Sequence, residues 1–209
     1  MKKWIIRIFL CLSVSVLCWG VFLLRDRSVL RNSIVRLHVV ANSDTAKDQA
    51  VKLAVRDAIL DSIQADLEKI ASKEEAVRYL EKAIPKLQQT ANHVLQAAGC
   101  AERTAVTLCQ EQFPVRHYDT FSLPSGVYDT LRVVIGSGEG ENWWCVTFPN
   151  LCIQAAGDGF HSAAVGAGFS NSLINVLNNP DGYCIRFYLL DVLGKMENYL
   201  FEANDCPFS

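Results

Sequence analysis

The apolar and polar positions along the chain divide it into an uncharged start, a helical region and a strand-rich region. Residues 8–24 carry no charge, and residues 46–98 show apolar side chains at helical spacing. Residues 105–148 are rich in β-branched and aromatic side chains, which is typical of strands. Helices grouped before strands predict an α+β fold.

Two long helices are predicted before the strand-rich region. The first covers about residues 46–71, and Thr45 and Asp48 have the spacing of a capping box at its start. The second covers about residues 73–98, with Ser72 as its N-cap. Pro85 lies inside this second helix and is expected to kink or split it.

The strands are predicted at residues 34–41, 105–111, 127–135 and 143–148. The last two flank GSGEGEN, whose glycines permit a tight turn, so we expect them to form a β-hairpin in a mainly antiparallel sheet. The strand at 34–41 is expected to join this sheet, with the two helices over one face.

The pattern weakens towards the C-terminus. Residues 154–178 are rich in Gly, Ala and Ser and indicate a loop or a poorly packed helix. Residues 183–190 predict a strand or the start of a helix, and residues 191–201 a short helix.

The N-terminal segment has the pattern of an export signal or membrane anchor. Basic residues precede an apolar stretch at residues 4–24, and no small-x-small cleavage site follows it, which favours an uncleaved anchor. We divide the chain into this segment, residues 1–28, and an extracytoplasmic domain, residues 29–209. The formal net charge of −2 argues against nucleic-acid binding.

The cysteines fit an exported domain, because six of the eight lie beyond the apolar segment. Pro149 and Asn150 provide a chain reversal between Cys145 and Cys152, so this pair has local support for a disulfide. Cys100 and Cys109 flank a turn into a strand and are a second possible pair. Cys184 fits a buried free thiol, and the pairing of Cys206 is left open.

Trp143 and Trp144 are adjacent in a predicted strand, so their side chains are expected on opposite faces. One interpretation places one indole in the core and the other outside, as part of a recognition patch. The other interpretation buries both on a sheet that is covered on each side.

Catalytic patterns are weak. His38, Asn42, Ser43 and Asp44 form either a small polar cluster or, more simply, a strand end with a helix cap. No G-x-S-x-G, H-E-x-x-H or C-x2-C motif is present, so we expect no metal, no cofactor and no small-molecule substrate.

Several motifs resemble one family, stage II sporulation protein R. The resemblance covers about residues 30–155 and departs from the family at Asn150, where a second proline is usual. The motifs are IVRLHVVANSD at 34–44 with Asp48, Gln49, Lys52 and Arg56; FP at 113–114 with Arg116 and Tyr118; PSG at 124–126 with Tyr128; LRVVIG at 131–136; and NWWCVTFPNLC at 142–152.

The resemblance implies a signalling protein of endospore formation and not an enzyme. Such a protein is made in the forespore and exported to the space between forespore and mother cell. There it activates a membrane-embedded aspartic protease, which processes the precursor of the early mother-cell sigma factor. The alternative is an exported cell-wall or peptide hydrolase that uses His38 and Asp44. The candidate partner-binding residues are Arg36, His38, Asn42, Asp44, Arg116, Tyr118, Asn142, Trp143 and Trp144.

Overall fold

The computed structural model describes residues 2–118, 120–149, 159–178, 185–200 and 206. The fold is α+β, as predicted. Its elements, in chain order, are α1 (Lys2–Ser33), β1 (Val35–Val40), α2 (Ala46–Leu67), α3 (Lys73–Ala97), β2 (Thr104–Phe113), β3 (Arg116–His117), β4 (Ser122–Leu123), β5 (Gly126–Ile135), β6 (Asn142–Phe148), α4 (Gly159–Gly166), α5 (Asn171–Leu177) and α6 (Ile185–Leu200).

The central sheet has four strands in the order β2-β5-β1-β6. Strand β1 runs parallel to β5 and antiparallel to β6, while β2 and β5 are antiparallel over their full length. The sheet is therefore mainly antiparallel, and β1 belongs to it, as predicted. Strands β3 and β4 form a separate two-stranded sheet within the connection from β2 to β5.

The predicted hairpin between β5 and β6 is wrong, because β1 lies between these two strands. The glycine loop at residues 136–141 instead passes over the end of β1, where the Gly140 N–H donates to the Ala41 carbonyl at 3.0 Å. A Cβ on Gly140 would lie 2.4 Å from the Ser43 carbonyl oxygen, so the loop needs a glycine there to approach β1. Strand propensity indicated both strands but not which neighbour each would take.

Both predicted helix caps are present. The side chains of Thr45 and Ser72 accept hydrogen bonds from the backbone N–H groups of Asp48 and Glu75. Helix α3 runs without a break through Pro85, so the predicted split is wrong. Buried Leu80 and Leu87 hold the helix on the sheet on either side of the proline, and this packing outweighs its cost of about 3 kcal/mol.

Helices α2 and α3 cover the first face of the sheet. Their apolar side chains pack on alternate residues of β1, namely Val35, Leu37 and Val39, which are all fully buried. This face is the one that the sequence predicted to be covered by two helices.

The second face is covered by the end of α1 and by α4, α5 and α6. The prediction of a loop or poorly packed helix is wrong for residues 159–166 and 171–177, because these form α4 and α5 and bury Phe160, Ala164, Leu173, Ile174 and Leu177 in this second core. The many Gly and Ala residues in this segment weaken the helical periodicity of apolar side chains, so the helices were not predicted. Residues 154–158 lie outside the described part. Helix α6 is one continuous helix, so the strand alternative for residues 185–190 is also wrong.

Helix α1 continues from the apolar N-terminal run into the domain. Trp4, Phe9 and Leu24 are exposed, whereas Leu23 and Leu30 are buried against the second core. Among the described residues, α1 is the helix that is long and apolar enough to cross a membrane. The predicted segment boundary at residue 28 lies inside it.

A disulfide joins Cys109 of β2 to Cys206, with Cα atoms 5.3 Å apart. Cys100 is free, so its predicted pairing with Cys109 is wrong. The extended backbone from Thr104 to Cys109 carries Cys109 about 17 Å along β2, away from Cys100. Cys145 is disulfide-bonded, but Cys152 and Cys184 lie outside the described residues, so the Cys145–Cys152 pairing stays a prediction. A disulfide fits an exported protein.

Candidate partner-binding site

A strip of buried polar side chains crosses the second face of the sheet. Because strand residues alternate, β1 directs Arg36 and His38 to this face and Val35, Leu37 and Val39 to the other. Strand β2 contributes Glu111, and β5 contributes Arg132. Each of the four is less than a tenth exposed. We call these residues the polar strip.

His38 connects the polar strip to the edge of the sheet. Its Nδ1 lies 2.8 Å from Oε1 of Glu111, and its Nε2 lies 2.8 Å from Oδ1 of Asn142. A carboxylate only accepts, so Nδ1 donates to Glu111. The ring stacks on Trp144 with centroids 5.5 Å apart, and Arg132 lies 3.6 Å from Glu111. These contacts fix the imidazole in one orientation.

Arg36 is fully buried, and no carboxylate pairs with it among the described residues. Its guanidinium lies 3.9 Å from the Phe113 ring centroid and 5.3 Å from that of Tyr128, and Nη2 donates to the Tyr118 hydroxyl at 2.7 Å. Its Nε and Nη1 are without hydrogen-bond partners in the described structure. The aromatic faces therefore supply most of the stabilisation of this cation.

Arg116 lies over the outer end of the strip. Its guanidinium carbon is 3.5 Å from the centroid of Trp144, and the residue is half-buried. Burial, and then the charge of Arg36, lower the pKa of Arg116. Among the described residues no carboxylate pairs with either of these neighbouring arginines, which makes this end of the strip electropositive.

Trp143 lies on the opposite face of β6, as the alternation predicted. It is 38% exposed, and the guanidinium of Arg56 from α2 lies 4.3 Å from its ring centroid. Trp144 is half-buried against the second core. The interpretation in which both indoles are buried is therefore wrong. We call Asn142, Trp143 and Trp144, with Arg56 and Arg116, the tryptophan edge.

Asn42 and Asp44 hold the glycine loop against the start of α2. The Asn42 side-chain oxygen accepts from the Ser137 N–H at 3.0 Å, and the Asp44 carboxylate accepts from the Glu141 N–H at 2.7 Å. Hydrogen bonds from Ser43 and then Asn42 lower the pKa of Asp48. These contacts keep β6 in place beside β1 and position the tryptophan edge.

The structure thus brings Arg36, His38, Arg116, Tyr118, Asn142 and Trp144 together on one side, with Trp143 on the other side of the same strand. Asn42 and Asp44 lie at the loop. Their roles in partner binding stay predictions. The candidate partner-binding residues did not include Glu111, Phe113, Arg132 and Arg56, of which the last three lie within the family motifs. Alternation along β2 was the signal that indicated Glu111 and Phe113 on the same face.

The hydrolase alternative required His38 and Asp44 to act together, and the structure does not pair them. The carboxylate beside His38 is that of Glu111, while Asp44 binds a backbone N–H. Ser125 is also remote from His38, since its hydroxyl donates to the Asp191 carbonyl at 2.8 Å. Within the described ranges, no group of His, Cys, Asp and Glu is arranged to hold a metal ion.

Comparison with known proteins gives one family. A family model described as stage II sporulation protein R matches residues 31–157, which include β1 to β6 and every candidate partner-binding residue. A curated protein, stage II sporulation protein R of Bacillus subtilis (strain 168), is 34% identical over 124 residues, covering 59% of this chain and 55% of that protein. The chain therefore spans about half the length of this relative. No solved structure matches.

Proposed function

Because this chain belongs to the stage II sporulation protein R family, which gives it a role in sporulation, we propose that it is the exported signal for a membrane-embedded aspartic protease. In this proposal the domain lies in the space between forespore and mother cell. It binds the outer portion of the protease, which then processes the precursor of the early mother-cell sigma factor.

The observation that carries the proposal is the tryptophan edge. Trp and Arg are the residue types that contribute most to protein interfaces, and here each indole of one strand has an arginine on its face. Trp143 and Asn142 are exposed in the described structure. All of these residues lie within the part of the chain that matches the family.

The fold supports a contact mechanism, because β6 is a rigid carrier for this surface. Strand β6 pairs with β1, and the glycine loop is bonded to residues 41–44. A ligand activates an enzyme only if it binds the active state better than the inactive one. A rigid Trp and Arg surface favours tight binding to that active state, since little conformational entropy is lost on binding.

The buried state of the polar strip also favours binding over hydrolysis. His38 is 5% exposed, and Arg116 and Tyr118 lie over the neighbouring Trp144 and Arg36. His38, Glu111 and Arg132 are engaged with one another and orient the edge residues Asn142 and Trp144. In this proposal, the polar strip is a support for the recognition surface.

The test is co-expression of this chain with the candidate protease and its sigma-factor precursor in a host that does not sporulate, with precursor processing as the readout. Trp143→Ala should abolish most processing, because it removes the exposed anchor. Leu53→Ala is the matched control, since Leu53 of α2 is 37% exposed and Trp143 38%. It should leave processing unchanged.

Two outcomes would contradict the proposal. One is precursor processing that is equally fast without this chain. The other is a Trp143→Ala variant that is exported and folded and still gives normal processing. Arg56→Ala provides an independent check of the same surface, since it removes the guanidinium stacked on Trp143 without changing a buried residue.

A further inference from the structure

Helix α6 has an apolar outer face, which is unusual for a helix at the surface of a domain. Its inner face is buried through Phe187, Leu190 and Gly194. The opposite face carries Ile185, Tyr188, Val192, Met196 and Tyr199, which recur every three or four residues and so form one stripe. Tyr199 is 87% exposed, and Val192 is half-buried. We call these five residues the α6 stripe.

Helix α3 shows the ordinary arrangement for comparison. Its buried positions are apolar at Leu80, Leu87 and Leu95, and its exposed positions include Glu81, Lys82 and Gln89. A helix that is apolar on opposite faces needs an apolar environment on both. The domain covers the inner face of α6, so the α6 stripe requires a second covering surface.

The position of α6 identifies that surface. The uncharged run of α1 ends at Leu24, and the Arg186 Nε donates to the Asp26 carboxylate at 2.7 Å. Residues 4–24 extend over about 30 Å as a helix, which matches the hydrocarbon thickness of a bilayer. The start of α6 therefore lies within about one helical turn of the end of this span.

A cavity of about 380 Å³ lies at the same level. It is lined by Trp19 and Phe22 of the apolar run on one side, and by Ser170 and Arg186 of the domain on the other. The second core also buries Leu23. The C-terminal helices thus reach the depth at which the apolar run leaves the bilayer.

The ion pairs show that α6 crosses α1 and does not continue along it. Glu197 pairs with Arg27 and Arg31, and Arg186 pairs with Asp26. Asp26 and Arg31 are about 8 Å apart along α1, whereas Arg186 and Glu197 are about 16 Å apart along α6. If α1 spans the bilayer, α6 therefore lies inclined towards the membrane plane.

We propose that the α6 stripe docks into the interfacial layer of the same bilayer that α1 spans. Tyr188 and Tyr199 suit this layer, because a phenol combines an apolar ring with a polar hydroxyl. Lys195, next to Met196, is exposed and available to lipid phosphates. With 16 residues and four charged groups at Arg186, Asp191, Lys195 and Glu197, α6 is too short and too polar to span.

The consequence is a fixed orientation of the domain. One membrane helix alone allows rotation about its axis, whereas a second contact at α6 holds the sheet at a set angle to the bilayer. Helix α6 lies after residues 31–157, which match the family, so this inference concerns a part of the chain to which that match assigns nothing.

Photo-crosslinking tests the proposal with the full chain in vesicles of phosphatidylethanolamine and phosphatidylglycerol. The photoreactive residue p-benzoylphenylalanine replaces Tyr188 or Tyr199 in separate variants, and Leu53 in the control. Leu53 is exposed on α2, on the other face of the sheet. The positions on α6 should give several-fold more lipid adduct than position 53.

Equal adduct yields at positions 199 and 53 would overturn the proposal. So would adducts at 188 and 199 that join two copies of the chain or bind another protein in place of lipid. A second measurement uses the variant Tyr188→Ser with Tyr199→Ser, still anchored by α1. Amide hydrogen exchange in α6 should become several-fold faster in vesicles, while exchange in α3 stays unchanged; unchanged exchange in α6 would also overturn the proposal.

Discussion

The two faces of the central sheet are built from the same strands but differ in chemistry. On the first face, β1 places Val35, Leu37 and Val39 against α2 and α3. On the second face, the alternate residues Arg36 and His38 enter a strip of buried charges. One face stabilises the fold by removing apolar area from water, while the other includes groups whose burial costs free energy unless each finds a partner.

We relate this difference to the proposed function. Buried charges are a poor way to stabilise a domain, since apolar residues of the same volume are often as good or better. Here they contact Asn142 and Trp144 of the tryptophan edge, and in the proposed function they position this surface for its partner. The predictions below compare the two faces, from the largest expected effect to the smallest.

Removing the carboxylate of the polar strip should lower the free energy of unfolding more than any of the substitutions that follow. Glu111→Gln removes the buried negative charge that lies beside His38 and the guanidinium of Arg132. We expect the free energy of unfolding to fall by about 3–5 kcal/mol. Denaturant titration in micelles, followed by tryptophan fluorescence, measures it. Glu139→Gln in the exposed loop is the control, and equal midpoints for the two variants would contradict the prediction.

A cavity on the first face should cost nearly as much by a different mechanism. Leu37→Ala removes a fully buried side chain of β1, and we expect a loss of about 2–5 kcal/mol in the free energy of unfolding. Processing by the candidate protease should persist at temperatures where the variant is folded, because the tryptophan edge is intact. Lost processing in a folded Leu37→Ala variant would mean that the two faces are not separable.

Alkaline pH should affect the second face through Tyr128. Burial raises the pKa of Tyr128 to about 12, above the ordinary value of 10.0. Because this pKa is higher in the folded protein than in the unfolded chain, the contribution of the neutral Tyr128 side chain to the free energy of unfolding is fully present below pH 10. It is lost as the pH rises towards 12. The loss is about 2–3 kcal/mol, and Tyr128→Phe should remove it.

The comparison for Tyr128 is Tyr79 of α3, whose pKa is also raised to about 12, first by burial and then by the hydrogen bond to Asp66. Tyr79 is only half-buried, so Tyr79→Phe should reduce the alkaline loss of stability less than Tyr128→Phe does. The measurement is the midpoint of unfolding of both variants between pH 9 and pH 12. If Tyr79→Phe reduced the alkaline loss of stability more than Tyr128→Phe, Tyr79 and not Tyr128 would be the main source of that loss.

The smallest effect on stability is expected for Arg36→Met. Methionine keeps most of the volume between Phe113 and Tyr128 and removes a cation that has no carboxylate partner among the described residues. The free energy of unfolding should change by less than about 1 kcal/mol or rise. Precursor processing should fall, because Tyr118 loses the hydrogen bond from Arg36 that positions it. Normal processing would assign Arg36 to the fold alone.

Much of the local structure was predictable. The capping residues Thr45 and Ser72 fixed the starts of α2 and α3, because a side-chain oxygen three residues before an N–H satisfies it wherever the helix packs. The strands were predicted from β-branched and aromatic runs. Helices α4 and α5 were not, because small residues weaken the periodicity on which such predictions depend.

Only part of the candidate site could be predicted from the sequence. Arg36, His38, Asn142 and Trp144 were identified from motifs, yet their partner Glu111 lies far away along the chain. The pairing follows from the strand order, which inserts β1 between β5 and β6 and places β2 on the far side of β5. Strand order depends on long-range packing, and no local pattern encodes it.

By itself, the sequence determined the class of fold, the helix starts, the apolar N-terminal run and the family, because these depend on short-range propensity and on motifs along the chain. The tertiary structure alone decided which strands are neighbours, that Cys109 pairs with Cys206, and that α6 has an apolar face beside the end of the apolar run. Those features depend on contacts between residues distant in sequence, whose free energies arise only when the chain is packed.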